Sequence, residues 1–182
     1  MGMLSTGSFV KPEDVIDQLD RIVGASIADF GCGSGFFSLA FARVAGSSGK
    51  VYALDILASS LESVSSRAKA SGFSNVITKR VNLERPGGSG LPDENIDWVI
   101  MKDILFQNKN KDAMIQEAHR ILKVGGFLFV MEWSDADVSF GPEHHLRISR
   151  DHLIEMLSHY NFVPVKDVAV GDFHYGLVCQ KC

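Results

Sequence analysis

A chain of 182 residues is long enough for one domain with a full hydrophobic core and too short for a cofactor domain joined to a separate substrate domain. Hydrophobic residues make up 46% of it and charged residues 22%, proportions that are typical of globular proteins and exclude intrinsic disorder. The net charge of −4 gives no support for a nucleic-acid footprint, which is normally basic. We therefore predict a single domain over residues 1–182 and expect no nucleic-acid partner.

The cellular compartment is predicted from apolar runs and cysteines. No apolar run reaches the length of a membrane span, and the N-terminus lacks the layout of a signal peptide. The cysteines, Cys32, Cys179 and Cys182, are odd in number and fit a reducing compartment. The last two are spaced as C-x-x-C, but a zinc site needs two more ligands, which no second pair supplies. We expect a cytoplasmic protein with no membrane span and no metal site.

The first predicted helix follows residues 1–10, which we expect to be a loose N-terminal arm. Pro12 fits the first turn of a helix, and Glu13 and Asp14 complement the positive end of its dipole. Apolar residues at helical spacing predict the face that packs against the sheet. They are Val15, Ile16, Leu19, Ile22 and Val23.

Residues 25–36 are predicted to form a buried strand, a glycine turn and the start of a helix. Glycines 31, 33 and 35 leave no Cβ in the way, so that a ligand can lie against the backbone. Their G-x-G-x-G spacing differs from the G-x-G-x-x-G of dinucleotide sites. The acidic residue Asp29 precedes the turn, and its carboxylate would repel a diphosphate. The turn therefore favours a cationic or zwitterionic ligand.

The remaining chain alternates predicted strands and helices and ends in a hairpin. The later strands are predicted at residues 50–54, 76–81, 96–101, 127–131, 162–165 and 173–180. The later helices are predicted at residues 36–44, 58–71, 109–122 and from Ser149 to about Tyr160. This order predicts an α/β fold with a doubly wound, mostly parallel, seven-stranded sheet, an antiparallel C-terminal strand pair, and helices on both faces.

Polar and apolar side chains at the ends of predicted strands mark the expected ligand site. Asp55 ends the second strand, and the single helix before that strand returns the chain to the same sheet edge as the glycine turn. A carboxylate there can accept both hydroxyls of a ribose. Leu83, Phe106 and Trp133 also follow strand ends, and we expect some of them to line an acceptor pocket.

The irregular stretch 132–148 is too long for a simple connector, and such loops are usually functional or mobile. It contains the adjacent pair His144 and His145, which fits either a proton-transferring base or two solvated polar residues. Asp103, Glu132 and Glu143 are rival bases. The catalytic residues therefore stay unassigned, with His144, His145 and Asp103 as candidates.

Several motifs carry a family resemblance. Residues 29–35, DFGCGSG, resemble the first motif of class I S-adenosylmethionine-dependent methyltransferases. Residues 91–99, LPDENIDWV, are similar to the family's entry into its fourth strand. Residues 117–126, EAHRILKVGG, resemble its segment before the fifth strand, although Val124 stands where proline is usual. Within the family, residues 125–134, GGFLFVMEWS, resemble quinone-biosynthesis C-methyltransferases.

The resemblance implies S-adenosylmethionine as the cofactor and assigns residues to it. The glycine turn would wrap the methionine and ribose part, with Asp29 at the amino group. Asp55 would bind the ribose hydroxyls, Ile56 would pack on the adenine, and the Asn82 amide oxygen would face the adenine amino group. Met101 and Lys102 would approach the methionyl portion. The full expected set is Asp29, Gly31, Cys32, Gly33, Gly35, Asp55, Ile56, Asn82, Leu83, Met101 and Lys102.

The same resemblance implies methyl transfer by in-line displacement. We expect a small-molecule acceptor held under the loop 132–148, because that loop follows the fifth strand and combines apolar walls with a few polar groups. The alternative is a non-catalytic or partner-dependent module that binds S-adenosylmethionine. A nicotinamide-dependent reductase is disfavoured by the glycine spacing. The sequence predicts neither the attacked atom nor the oligomeric state.

Overall fold

The computed structural model describes residues 10–135 and 140–182. Within them the strands are β1 (Ser26–Phe30), β2 (Lys50–Asp55), β3 (Val76–Arg80), β4 (Ile96–Lys102), β5 (Leu122–Trp133), β6 (Phe162–Val168) and β7 (His174–Lys181). They form one sheet in the order β3-β2-β1-β4-β5-β7-β6. Neighbours from β3 to β5 are parallel, and β7 runs antiparallel to both β5 and β6. The predicted fold class is confirmed.

Helices cover both faces of this sheet. In the described residues they are α1 (Pro12–Ile16), α2 (Phe36–Ala45), α3 (Ala58–Ala70), α4 (Lys111–Ile121) and α5 (Arg150–Ser158). Buried side chains of α1 and α2 share one cluster with Ile27 of β1, whereas those of α4 and α5 share another with Ala28 and Phe30. None of these helices is long and apolar enough to span a membrane.

The chain order places a crevice beside β1. From β1 the chain proceeds to β2 and β3 on one side, and β4 and β5 lie on the other side. Loops that leave the carboxyl ends of β1 and β4 therefore diverge, and ligands bind at this point of a doubly wound sheet. The glycine turn after β1 lies at that edge.

Two of the sequence motifs act as scaffold. Asp97 accepts hydrogen bonds from Ser26 N at 2.8 Å and Ser26 Oγ at 2.7 Å, and Lys123 Nζ donates to it at 2.7 Å. Glu117 is buried, and its Oε1 accepts from Ser89 N at 2.9 Å. Asp97 therefore joins the first residues of β1, β4 and β5, and Glu117 joins α4 to the segment before β4.

Three predicted boundaries need correction. The first helix ends at Ile16, and Arg21 adopts a left-handed φ of 58°, so that Val23 lies in a turn and is 79% exposed rather than packed. Strand β5 begins at Leu122, which pairs with Ile96 of β4, and continues to Trp133, which pairs with His174 of β7. The predicted irregular stretch is correspondingly shorter. The predicted N-terminal arm, apart from Val10, lies outside the described residues.

Candidate functional site

The three glycines of the turn have different structural roles. Gly31, Gly33 and Gly35 all have positive φ, at 70°, 50° and 80°. A Cβ on Gly31 would lie 2.3 Å from Ile104 Cδ1, and one on Gly35 would lie 2.6 Å from Val64 Cγ2. A Cβ on Gly33 would meet nothing within 4 Å. Gly33 is therefore the glycine that opens the turn toward a ligand, and the other two permit close packing of the protein.

Two cavities adjoin this turn. The larger has a volume of about 650 Å³ and the smaller about 330 Å³, and both are lined by Gly31, Gly33 and Gln107. The other predicted residues divide between them, with Asp29, Cys32, Lys102 and Asp103 on the larger and Asp55, Ile56, Asn82 and Leu83 on the smaller. Gly35 lines neither cavity, so its predicted contact with the cofactor is not found.

Asp29 is a buried anion at the inner end of the larger cavity. Its side chain accepts a hydrogen bond from Ser38 Oγ of α2 at 2.5 Å. Burial raises the pKa of Asp29 to about 6, against opposing effects of the Ser38 hydrogen bond and the Lys102 charge. Because burial disfavours an uncompensated carboxylate, a cationic group in the cavity would be favoured beside it.

Asp55 ties the glycine turn to the end of β2. Its Oδ2 accepts from Gly33 N at 2.9 Å, and its Oδ1 accepts from Leu57 N at 2.9 Å. A carboxylate has about four lone-pair directions, so both oxygens can still accept a bond from a ligand. The side chain therefore positions the turn and also presents acceptors to the smaller cavity.

The smaller cavity has one apolar and one amide wall. Ile56 is 54% exposed, which is unusual for a large apolar residue at a strand end, and it lines the cavity with buried Leu83. Asn82 Oδ1 accepts from Glu84 N at 3.0 Å, which fixes the amide. A flat apolar group can lie between these walls.

Met101 and Cys32 belong to the core. Met101 is fully buried in the cluster with Phe30 and Leu54 and lines neither of the two cavities, so its side chain faces the core rather than the predicted ligand site. Cys32 lines the larger cavity but packs with Val64, and burial raises the pKa of its thiol far above the usual range. It fills the turn as a small apolar residue.

Asp103 pairs with a histidine that the sequence analysis passed over. His174 Nε2 lies 3.1 Å from Asp103 Oδ1, and Lys102 Nζ bonds to the other oxygen of the same carboxylate. Burial alone would raise the pKa of Asp103, but His174 and Lys102 together lower it below its ordinary value. All three side chains line the larger cavity. The group therefore presents an ionised carboxylate with a histidine on one side and a lysine on the other.

A buried glutamate holds Asp103 in place. Asp103 has a left-handed φ of 52°, a conformation that a non-glycine residue keeps only where its surroundings enforce it. Its N–H donates to Met131 O at 2.9 Å, and Glu132 Oε1 accepts from Ile104 N at 3.1 Å and Leu105 N at 2.7 Å. Glu132, a predicted rival base, is fully buried and shapes the turn after β4.

No local motif around His174 marks it as a site residue. It enters the site because β7 pairs antiparallel with β5, which places His174 opposite Trp133. Their rings lie 4.3 Å apart between centroids. Only the long-range register of these two strands reveals this contact.

The two loop histidines lie elsewhere. His144 and His145 belong to an exposed 3-10 turn, His144–Leu146, and line neither cavity. His145 Nδ1 lies 3.2 Å from Glu143 Oε2. Phe140, from the same loop, instead packs beside the larger cavity, because its ring centroid lies 4.9 Å from that of Phe173, which lines the cavity.

The domain is of the α/β class, with one reversed strand in its sheet and a ligand groove at its switch point. A glycine turn after β1 and carboxylates at the ends of β1 and β2 define that groove. Residues 23–162 match the methyltransferase domain family, and the chain belongs to that family, with S-adenosylmethionine as its cofactor.

Two named relatives show which methyltransferases the chain resembles in sequence. The chain is 30% identical to an arsenite methyltransferase of Aquipseudomonas alcaligenes over 58% of its own length and 32% of that protein's. It is 33% identical to a ubiquinone/menaquinone biosynthesis C-methyltransferase of Hahella chejuensis over 65% of its own length and 47% of that protein's. The second match confirms the predicted resemblance to quinone-biosynthesis enzymes. The chain thus matches half or less of the length of these two relatives.

A solved structure shows the same fold. A SAM-dependent methyltransferase from Aquifex aeolicus superposes with a TM-score of 0.86, over 96% of this chain and 91% of that one, at 21% sequence identity. At this identity the likeness is one of fold.

Proposed function

We propose that this protein transfers the methyl group of S-adenosylmethionine to a small organic acceptor. The observation that carries the proposal is the lining of the larger cavity, which includes the glycine turn and Asp29 as well as Phe173 and His174. Its volume of about 650 Å³ lies in the range of small-molecule sites. It therefore offers room for an acceptor beyond the part that the cofactor would fill.

The donor groups of the site suit the cofactor. Asp29 would hold its ammonium group, and Lys102 would face its carboxylate, since these side chains carry the complementary charges in the larger cavity. Asp55 would accept the ribose hydroxyls, and Ile56 would cover the adenine in the smaller cavity. Gly33, whose missing Cβ leaves the turn open, would let the ligand lie against the backbone.

When bound, the cofactor supplies an activated methyl group on a positively charged sulfur. The chain's own contribution is then alignment, because fixing the two reactants in line removes much of the entropic part of the barrier. The glycine turn and Asp55 would hold one reactant, and the wall of Phe37, Met131 and Phe173 would hold the other. The same wall would exclude water from the reacting atoms.

The acceptor is proposed to be organic and planar rather than arsenite. Trivalent arsenic is a soft centre for which thiolates are matching ligands. Cys32 stays a thiol because burial raises its pKa, Cys179 is buried in the core, and Cys182 is exposed and does not line the larger cavity. Aromatic rings on the wall, including Phe37 and Phe173, instead suit a flat ring.

The test is turnover by the isolated protein with a deuterated methyl donor. The acceptor panel contains hydroquinones, naphthohydroquinones, phenols and arsenite, and mass spectrometry detects the labelled product. We expect a labelled organic ring compound. Binding of the cofactor without transfer to any acceptor would favour the alternative of a partner-dependent or non-catalytic module, and labelled arsenic would overturn the assignment of the acceptor.

The absence of a nucleic-acid partner and a cytoplasmic location stay predictions. Contacts with several phosphates give affinity that falls steeply with salt. Binding of the acceptor should therefore change little between low and moderate salt, and a steep loss with methyl transfer to RNA or DNA would contradict the proposal.

A further inference from the structure

We propose that His174 is the general base that takes the acceptor's proton, with Asp103 as the residue that orients its ring. This inference deepens the proposed function and rests on it. It also gives the acceptor a chemical class, namely a molecule whose attacking atom carries a weakly acidic proton, such as a ring with a hydroxyl group.

The first support is the position of the histidine. His174 lines the larger cavity, yet its side chain is only 10% exposed. A histidine held away from bulk water but open to a cavity can exchange a proton with a bound molecule more readily than with solvent. Trp133 packs on one side of its ring, which limits the orientations available to it.

The second support is the assignment of the two ring nitrogens. Nε2 lies 3.1 Å from Asp103 Oδ1, and within the described residues neither of these two buried atoms has a hydrogen-bond partner, so each is available to the other. An ionised carboxylate only accepts hydrogen bonds, so a hydrogen bond across this distance places the proton on Nε2. In a neutral ring Nδ1 then carries the free lone pair. Nδ1 makes no hydrogen bond in the part of the chain that the structure describes.

The third support is the set of contacts that hold Asp103 in position. Its left-handed backbone is fixed by the bond to Met131 O, while Glu132 anchors the next two residues. Lys102 bonds to the carboxylate oxygen that does not face His174. This arrangement keeps the carboxylate ionised and aimed at the ring. It serves a positioned base better than it serves stability, because backbone strain and buried charges both cost free energy.

The proposed step balances as follows. The acceptor's X–H bond breaks, its electron pair stays on X, and the proton moves to Nδ1 of His174. The pair on X forms the new bond to the methyl carbon, while the pair of the carbon–sulfur bond stays on sulfur, which becomes a neutral thioether. Asp103 stabilises the resulting imidazolium through Nε2 and does not itself take the proton. The proton leaves to solvent with product release.

The test compares variants for cofactor affinity and transfer. His174→Gln and His174→Asn should keep the affinity for S-adenosylmethionine, measured by calorimetry, within about threefold, because the base faces the acceptor. Their kcat should fall by about 100-fold to 10,000-fold, the usual contribution of a general base. In His174→Ala, added imidazole should restore part of the activity, which a merely structural role would not allow. His152→Asn is the matched control, because His152 also lies near a carboxylate, Glu155, but is exposed on α5.

A separate readout tests Asp103 without turnover. Nitrogen NMR of histidine-labelled protein should show neutral His174 with its proton on Nε2, and Asp103→Ala should abolish that preference. A proton on Nδ1 in the wild type would overturn the proposal. Wild-type kcat in both His174 variants would also overturn it while leaving the proposed function intact. Failure of the proposed function itself would instead appear as absent transfer in the wild-type protein.

Discussion

Asp55 Oδ2 accepts a hydrogen bond from Gly33 N at 2.9 Å, so that the carboxylate at the end of β2 and the glycine turn after β1 form one unit. The side chain that offers acceptors to a ribose therefore also sets the position of the backbone that would lie against the ligand. Loss of this carboxylate should affect the cofactor twice, through a lost contact and through a displaced turn.

The first prediction follows from that unit. Asp55→Ala should weaken binding of S-adenosylmethionine by about 1.5 to 3 kcal/mol, the range for hydrogen bonds to a charged group. Calorimetry measures the change, and circular dichroism checks the fold. Asp97→Asn serves as the control, because this carboxylate bonds to Ser26 and Lys123 and lines neither cavity. Equal affinity in wild type and Asp55→Ala would remove Asp55 from the site.

The second prediction separates two effects of adding a side chain to Gly33, namely occupation of the ligand's space and strain of the backbone. Gly33→Ala places a methyl group in open space toward the ligand, at a φ of 50°. It should abolish cofactor binding and lower the free energy of unfolding by about 1 to 2 kcal/mol, the cost of a left-handed non-glycine residue. Gly72→Ala carries the same kind of strain, at a φ of 73° with no atom within 4 Å, but outside the site. If both variants bind the cofactor equally well, Gly33 does not cradle it.

The third prediction concerns the burial of Asp29. Its pKa is about 6 in the folded protein against an ordinary value of 3.8, so the folded state binds more protons between these values. The free energy of unfolding therefore falls as the pH rises through that window and stays lower above pH 6. Asp29→Asn removes this pH-dependent decrease in the free energy of unfolding. At pH 8 it should raise the free energy of unfolding by about 1 to 3 kcal/mol while weakening cofactor binding.

Chemical denaturation at pH 8 measures this gain, and Asp97 provides a control of opposite sign. Burial would raise the pKa of Asp97, but hydrogen bonds from Lys123 and Ser26 lower it below its ordinary value. Its ionised form therefore stabilises the fold above the unfolded pKa, and Asp97→Asn should lose stability at pH 8. A loss of stability in Asp29→Asn would show that the carboxylate is compensated without a ligand.

The fourth prediction tests Glu132, whose carboxylate anchors the two residues that follow Asp103. Burial raises the pKa of Glu132 to about 7, so its contribution to the free energy of unfolding also falls as the pH rises, up to about pH 7. Glu132→Gln keeps an oxygen for the N–H groups of Ile104 and Leu105. This variant should lose less stability than wild type between pH 6 and pH 8. Glu132→Ala should be destabilised at both pH values, because it leaves those N–H groups without their acceptor.

Local patterns in the sequence predicted most of the fold and the sheet edge at which the proposed cofactor residues lie. Asp29, Gly33 and Asp55 stand at the ends of short apolar runs, and strand ends of a parallel sheet meet at one edge. The same rule failed for Met101. Its position at the end of β4 was read correctly, but its side chain points into the core and away from the cavity.

The acceptor side could not be predicted in the same way. His174 reaches the larger cavity through the pairing of β7 with β5, and that register depends on packing between segments far apart in the chain. The pair His144 and His145 drew attention by its composition, although both residues are exposed. Residues 136–139 of the loop predicted to cover the acceptor lie outside the described residues.

Transfer of a deuterated methyl group from S-adenosylmethionine by the purified protein tests the central claim most directly. With a hydroquinone or phenol as acceptor, we predict a labelled organic product and one equivalent of demethylated cofactor. We further predict that Asp55→Ala reduces the rate at low cofactor concentration and that His174→Gln reduces it even at saturation. Cofactor binding with no labelled product from any acceptor, or a rate unchanged in both variants, would contradict the account.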